Sequence, residues 1–382
     1  NLTVRQRIWG GFIVITLLLL FIGGNSLIRI TNIDQSTQRV NQLSLPALDK
    51  SYELQVEFIL MSKSAQASFY TTSQDELATI RKNFTEQKKR YDSSYQDLQQ
   101  IVSNDPKLKQ SSQEVEQTYK RFAKSVDNLF KDKQTQLELN NTLRTQLENI
   151  EISAEDANSV VLDIIDIDGL EENNSRAYQA ANNMENNFQS VVTNSTDMLT
   201  VKTLNTLDIV KNEQVYYLEE VERSLGLIRP AIIESNADLY NDLNSYVENL
   251  VNNVRGNNSL SANKKRLIDA IAQTQAELAN AEKSTTEALK QLKELVDQAT
   301  VLAFDLQQDV SGNVSTATIW TWIAMVIATL IAIAVAAITV SRITKPLSEV
   351  NRILDIVASG DMTQRLDDSV KDEFGELSRS CN

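Results

Sequence analysis

The chain has 382 residues and a formal net charge of −14 at pH 7, with no histidine and one cysteine, Cys381. The negative charge argues against nucleic acid or an anionic membrane surface as a general partner. The lack of histidine removes the commonest general base and metal ligand. The composition therefore argues against hydrolase triads, zinc sites and thiol chemistry, and with them against most enzymes. We predict a protein that is not an enzyme, with no catalytic residues, no metal site and no cofactor.

The first apolar stretch, residues 8–24, reads IWGGFIVITLLLLFIGG and follows Arg5 and Arg7. Secretory signal peptides and membrane anchors share a basic start and an apolar core. No Ala-x-Ala cleavage site follows, and the nearest match lies at residues 24–26. We therefore predict an uncleaved transmembrane helix over residues 8–24, with residues 1–7 in the cytoplasm.

The region from residue 25 to residue 318 is predicted to be helical almost throughout, because glycine (10 in the chain) and proline (4) are scarce. Its breaks carry cap and turn signals. Ser73 followed by Glu76 forms a capping box. Pro106 suits the first position of a helix, and Gly256 suits a left-handed C-cap.

Two further prolines refine this pattern. Pro46 predicts a kink in the first helix, since it removes one helix hydrogen bond. Pro230 is predicted to open the fifth helix, and an interruption of the fourth near residues 193–200 stays open. The first predicted helix continues from the first span to about residue 72, and the next four cover residues 73–102, 106–165, 171–226 and 230–255. The sixth begins at Ser261 and is predicted to run unbroken into the second apolar stretch.

The apolar residues of the sixth helix alternate four and three residues apart, which indicates a seam packed against partner helices. They are Leu267, Ile271, Leu278, Ala281, Ala288, Leu292, Leu295, Ala299, Leu302 and Leu306. Helices of about 45 to 60 residues would be roughly 70 to 90 Å long, whereas others have only about 25 residues. The sequence therefore predicts an all-α fold in which six long helices form two four-helix bundles, stacked end to end and sharing the long helices.

The second apolar stretch, residues 319–340, is an uncharged segment long enough to cross a bilayer core of about 30 Å. Trp320 and Trp322 at its start suit the headgroup level. Arg342 and Lys345 follow its end, and such a basic end marks the cytoplasm. Both termini are therefore predicted to be cytoplasmic, and the region between the two spans is predicted to be a periplasmic sensor domain.

Residues 341–382 carry their own pattern. A short amphipathic helix with an early proline, Pro346, is followed by a break at Gly360 and then by the sequence DEFGEL. This order resembles a HAMP domain, the signal-relay module of bacterial receptors, with Pro346, Glu373 and Gly375 at its signature positions. The resemblance implies a parallel four-helix coiled coil in a homodimer, and it assigns signal relay to Pro346, Gly360, Glu373 and Gly375.

The whole layout resembles the chemoreceptors, or methyl-accepting chemotaxis proteins, with a helical bimodular sensor domain. The resemblance implies a receptor of the bacterial inner membrane that controls chemotaxis after binding a small metabolite, such as an organic acid, between its helices. It also implies a homodimer in higher arrays with a chemotaxis kinase and adaptor. These would bind a signalling domain that we expect beyond residue 382, where the HAMP-like pattern is incomplete.

An anionic ligand of so acidic a chain would need a local basic pocket. The candidate ligand-binding residues are Lys63 in the apolar-rich part of the first helix, Arg223 and Arg229 near the fourth-to-fifth helix junction, and Tyr216 about two turns before Arg223. Arginine matches a carboxylate with two parallel hydrogen bonds.

Two alternatives keep this input layout. One is a sensor histidine kinase, in which the HAMP domain leads to a histidine-bearing dimerisation helix. The other is a receptor whose bundles bind a protein partner, such as a periplasmic binding protein, instead of a metabolite. An exposed apolar patch without an interhelical pocket would favour the second.

Overall fold

The computed structural model describes residues 4–360, 363, 365, 369 and 373–381. The chain divides into two compact units, Lys50–Leu295 and the combination of Asn1–Asp49 with Val296–Asn382. The regular elements within the described residues are all helical, which confirms the all-α class. They are α1 Val4–Arg39, α2 Leu45–Tyr70, α3 Gln74–Ile101, α4 Pro106–Ile165, α5 Leu170–Asn173, α6 Ser175–Thr200, α7 Leu204–Ile232, α8 Ala237–Val254, α9 Leu260–Thr339, α10 Lys345–Ala358 and α11 Glu373–Cys381.

The first bundle consists of α2, α3, the first half of α4 and the adjoining part of α9. Its core is aromatic: the ring of Tyr91 lies 5.9 Å from Phe58 and 4.0 Å from Tyr119, measured between centroids. The Arg121 guanidinium joins α4 to α9 through Glu287 at 2.8 Å. These contacts link all four helices.

The second bundle consists of the second half of α4 with α6, α7 and α8. Its helices contribute one continuous cluster of buried apolar side chains, which includes Ile150, Phe188, Leu218 and Leu250. Among the described helices, α4 passes through both bundles, which confirms the predicted sharing for this long helix. The helix α9 begins where the bundles meet, contributes Leu260 and Leu267 to the buried cluster of the second bundle, and then packs along the first.

The two bundles repeat each other at an interval of 130 residues. Ser73 and Thr203 are the N-caps of α3 and α7, and each side chain accepts the backbone N–H three residues later. Buried positions around Ser73 recur 130 residues later around Thr203, because the helix pairs α2–α3 and α6–α7 present the same faces to their cores. The matched pairs include Leu54 with Met184, Phe58 with Phe188, Met61 with Val191, Leu77 with Leu207, and Leu98 with Ile228.

Two predicted helix boundaries in the second bundle are corrected by the structure. The predicted fourth helix is two helices, α6 and α7, separated by residues 201–203. Pro230 lies inside the last turn of α7 and does not open a helix, since α8 begins at Ala237. A helix that has already formed tolerates proline near its end, because the ring removes only one hydrogen bond.

Two π-helical turns join consecutive helices, one between α1 and α2 and one between α9 and α10, and each lies shortly before a proline. These turns cover Val40–Ser44 before Pro46 and Val340–Thr344 before Pro346. Because proline has no N–H, the helix loses one hydrogen bond there, and the wider turn rearranges the neighbouring ones. The predicted kink at Pro46 thus takes the form of a π-helical turn.

Within the described residues, two helical stretches are long and apolar enough to cross a membrane, one starting at Ile8 and the other within α9. After the second stretch, α10 places Val350 and Ile353 in a small apolar cluster with Val357. Gly360 ends α10 with a φ of +100°. The break predicted at Gly360 is therefore present, whereas Asp372, the first residue of the DEFGEL sequence, lies outside the described residues.

Candidate functional site: the cavity between the bundles

The four ligand-binding residues predicted from the sequence belong to two different bundles. Lys63 is exposed on α2 of the first bundle. Tyr216, Arg223 and Arg229 lie on α7 of the second bundle, and all three are exposed. The structure therefore does not bring Lys63 together with the other three.

Two of the α7 residues have partners on the protein surface. The Arg223 guanidinium lies 2.9 Å from the carboxylate of Glu220 one turn away. The Arg229 guanidinium lies over the ring of Tyr240, 5.9 Å from its centroid. A ligand at either arginine would compete with these contacts.

A polar cavity of about 520 Å³ lies where the two bundles meet. The turn between α2 and α3 forms one side, α4 crosses the cavity, and the start of α9 completes it. We call it the interbundle cavity. It is lined by Thr71, Thr72, Ser73, Gln74, Asp75, Lys133, Gln136, Leu137, Asn140, Asn141, Leu143, Arg144, Leu199, Lys264 and Leu267.

Lys133 and Lys264 make corresponding contacts at the C-terminal ends of α2 and α6. The Lys133 ammonium donates a hydrogen bond to the Phe69 carbonyl near the end of α2, at 2.6 Å. The Lys264 ammonium donates to the Leu199 carbonyl near the end of α6, also at 2.6 Å. Phe69 and Leu199 are separated by the 130-residue repeat, and the lysines by one residue more. Each ammonium thus satisfies a carbonyl at a helix C-terminus, where the helix dipole favours positive charge.

Both lysines are buried, with only 9% of Lys133 and 6% of Lys264 exposed. Burial lowers the pKa of both ammonium groups, because the charged form loses its hydration. Within the described residues neither ammonium pairs with a carboxylate, and each makes the single hydrogen bond given above. Since an ammonium carries three N–H donors, two donors on each lysine have no protein acceptor there.

Hydrogen bonds next to the cavity join α4 to the first turns of α9. Gln136 donates to the Thr274 hydroxyl at 2.6 Å and to the Ala270 carbonyl at 3.1 Å. Further along α4, Gln146 accepts from the Asn263 amide at 2.9 Å. A change in the cavity would therefore act directly on the start of α9.

Sequence reasoning missed Lys133 and Lys264, because the local sequences KDKQ and NKKR look like solvated helix surface. The signal that could have found them is the internal repeat. Aligning the capped turns at Ser73 and Thr203 brings the two lysines within one residue of the same position.

Comparison with protein-family models identifies two parts of the chain. Residues 1–136 match a four helix bundle sensory module for signal transduction. Residues 338–380 match the HAMP domain, and all four predicted relay residues lie within that range. The chain is a sensor-type signal transducer. The match to the sensory module includes the first candidate membrane helix, and the match to the HAMP domain begins at the end of the second.

Two solved structures resemble this signal transducer at low sequence identity. One is the TorS sensor domain in complex with TorT in the presence of TMAO, with a TM-score of 0.47 and 13% identity over 66% of this chain and 99% of that chain. The other is the sensor domain of the V. parahaemolyticus histidine kinase sensor TorS, with a TM-score of 0.38 and 12% identity over 71% and 99%. A comparison with curated protein sequences finds no match.

Proposed function

We propose that this signal transducer is a chemoreceptor of the bacterial inner membrane, which detects a small solute in the periplasm and controls chemotaxis through its HAMP domain. It is not itself an enzyme. The observation that carries the proposal is α9, a single helix from Leu260 to Thr339 whose first turns line the interbundle cavity with Lys264 and Leu267 and whose end forms the second membrane span. A solute that prefers one arrangement of the start of α9 can bias the helix that enters the membrane.

The charge flanking the spans supports the orientation. Arg5 precedes the first span, and Arg342 and Lys345 follow the second. Basic residues concentrate on the cytoplasmic side of membrane helices. In this orientation both termini are cytoplasmic, and the two bundles face the periplasm.

Exposed apolar residues in the HAMP domain support a homodimer. Leu347 and Leu354 of α10 are each 45% exposed, although Val350 and Ile353 on the same helix are buried. An amphipathic helix with leucine left in water gains free energy by packing against further helices. A second copy of the chain would supply them, as the four-helix form of HAMP requires.

Hydrogen exchange on the chain in lipid nanodiscs tests this proposal. A panel of organic acids, amino acids and other metabolites would be added one at a time, and exchange followed in the bundles and in α10. The receptor role predicts a solute that slows exchange in the bundles and changes it in α10. Protection confined to the bundles for every bound solute would contradict signal relay.

The output needs a separate experiment. A strain that lacks the gene should lose its swimming response to the identified solute and regain it with the intact gene. Unchanged swimming, with solute-dependent phosphoryl transfer from the full-length protein, would replace the chemoreceptor by a sensor histidine kinase. If no metabolite binds, a periplasmic protein partner becomes the signal.

A further inference from the structure

The interbundle cavity concentrates positive charge in a protein that is strongly acidic overall. Lys133, Lys264 and Arg144 line it, against one carboxylate, that of Asp75. The chain as a whole carries a net charge of −14. The charge of the cavity wall is therefore opposite in sign to that of the protein around it.

The contacts of the two lysines leave part of their charge uncompensated. A helix C-terminus offers about half a negative charge. Each ammonium has one carbonyl partner, at 2.6 Å, and the Lys133 ammonium also lies over the Phe69 ring, 5.8 Å from its centroid. A buried charge without a full partner is costly, because it has given up its hydration. An acceptor that entered the cavity could use the remaining N–H donors of both lysines.

We propose that the interbundle cavity binds a small anion, whose carboxylate or other oxyanion groups are held by Lys133, Lys264 and Arg144. This inference rests on the proposed receptor role and names the class of solute and the place where it binds. The site lies between the bundles, among groups that the fold brings together from α4 and α9. It is distinct from the exposed cations Lys63, Arg223 and Arg229.

The size and lining of the cavity favour an organic anion. Ligand cavities for small molecules usually occupy about 300 to 1,000 Å³, and the interbundle cavity, at about 520 Å³, falls in that range. Leu137 and Leu267 add apolar surface beside the lysines. An inorganic oxyanion shares the charge but leaves most of this volume to water.

Binding at this place would connect the two helices that matter for relay. Lys133 belongs to α4, which runs through both bundles, and Lys264 lies in the second turn of α9. An anion that accepts hydrogen bonds from both would stabilise one position of α9 against α4. The interbundle cavity is thus both a ligand site and the point where binding acts on the membrane-spanning helix.

The experiment measures anion-dependent thermal stabilisation of the intact chain in nanodiscs at constant ionic strength. Succinate, acetate, sulfate and phosphate would each replace chloride. Stabilisation by the carboxylates above that by sulfate and phosphate identifies an organic anion site, and the reverse order identifies an inorganic one. No stabilisation by any of the four relative to chloride would overturn the proposal.

Arg144 provides the variant that separates binding from folding. It lines the cavity and is exposed, and it has no hydrogen bond or ion pair within the described residues. Arg144→Gln should leave the melting temperature in chloride unchanged and weaken anion binding about tenfold, whereas Arg144→Lys should retain most of the affinity. Lys124→Gln, an exposed cation of α4 away from the cavity, is the matched control and should change neither.

Equal anion affinity in Arg144→Gln and Lys124→Gln would place any binding elsewhere and refute this site. The receptor role is tested by a different measurement, the solute-dependent change in hydrogen exchange of α10. A solute that alters α10 equally in the intact chain and in Arg144→Gln would preserve the receptor and exclude the interbundle cavity as its site.

Discussion

Gln214 of α7 occupies the position in the second bundle that Phe84 of α3 occupies in the first, eleven residues after the equivalent helix caps. Both side chains are buried. Gln214 donates to the Ser195 hydroxyl at 2.5 Å, but its amide oxygen is buried without a protein partner. The second bundle therefore has a polar defect where the first has an aromatic contact.

Replacing Gln214 with leucine should stabilise the second bundle by about 1 kcal/mol, because a buried polar atom without a partner costs roughly 1–3 kcal/mol. Ser195 stays satisfied through the Val191 carbonyl at 2.7 Å. Gln136→Leu is the matched change, and it should destabilise, since Gln136 donates two hydrogen bonds to α9. Local opening free energies from hydrogen exchange compare the two variants. Destabilisation of similar size in both variants would contradict the conclusion that the Gln214 amide oxygen is buried without a partner.

The aromatic core of the first bundle offers a second matched pair. The Tyr91 hydroxyl is buried without a protein partner, whereas the Tyr119 hydroxyl donates to the Asp92 carboxylate at 2.8 Å. Tyr91→Phe should be neutral or stabilising, and Tyr119→Phe should cost about 1–2 kcal/mol. Thermal melting of the intact chain checks the order, and an equal loss in both variants would show that the Tyr91 hydroxyl binds a partner such as water.

Two glycines of the second bundle should respond to alanine with opposite sign. Gly226 lies in α7 with open space around it, so Gly226→Ala should stabilise by about 0.5–1 kcal/mol. Gly256 has a φ of +99°, and Gly256→Ala should destabilise by about 1–2 kcal/mol. Melting temperatures that move in the same direction would refute the assigned turn conformation.

The buried lysines predict a rise of stability with pH. Because burial lowers the pKa of Lys133 and Lys264 in the folded state, the unfolded chain binds more protons between those lowered values and about 10.4. The free energy of unfolding should therefore rise with pH in that window, and Lys264→Met should make the slope shallower. Measurements should stop near pH 10. Burial raises the pKa of Tyr95 to about 12, and tyrosine ionisation in the unfolded chain then reduces stability.

Ala299 tests whether α9 transmits the signal as one helix. It is buried, and its carbonyl accepts a hydrogen bond from the Ser44 hydroxyl at 2.6 Å. Proline or glycine at Ala299 should uncouple solute binding from the exchange of α10, because proline removes a helix hydrogen bond and glycine weakens the helix. Val301→Ala, a nearby exposed position, is the control. Coupling retained in Ala299→Pro would refute relay along a continuous helix.

The sequence by itself determined the features that depend on short-range chemistry. The cap at Ser73, the helix start at Pro106 and the left-handed turn at Gly256 involve groups a few residues apart, and the structure has helix ends at all three. The scarcity of glycine and proline and the heptad spacing were enough for the all-α class. The HAMP pattern around Pro346 and Gly360 was likewise readable along the chain, and the family model confirms it.

Only the tertiary structure decided what lies between distant segments. Pro230 has a local preference for a helix start, but the cap at Thr203 and packing against the second bundle extend α7 past it. Lys133 and Lys264 look like surface lysines in the sequence, yet the fold buries both against helix ends 64 and 65 residues away. Burial and charge compensation are properties of the assembled bundles, so no local pattern records them.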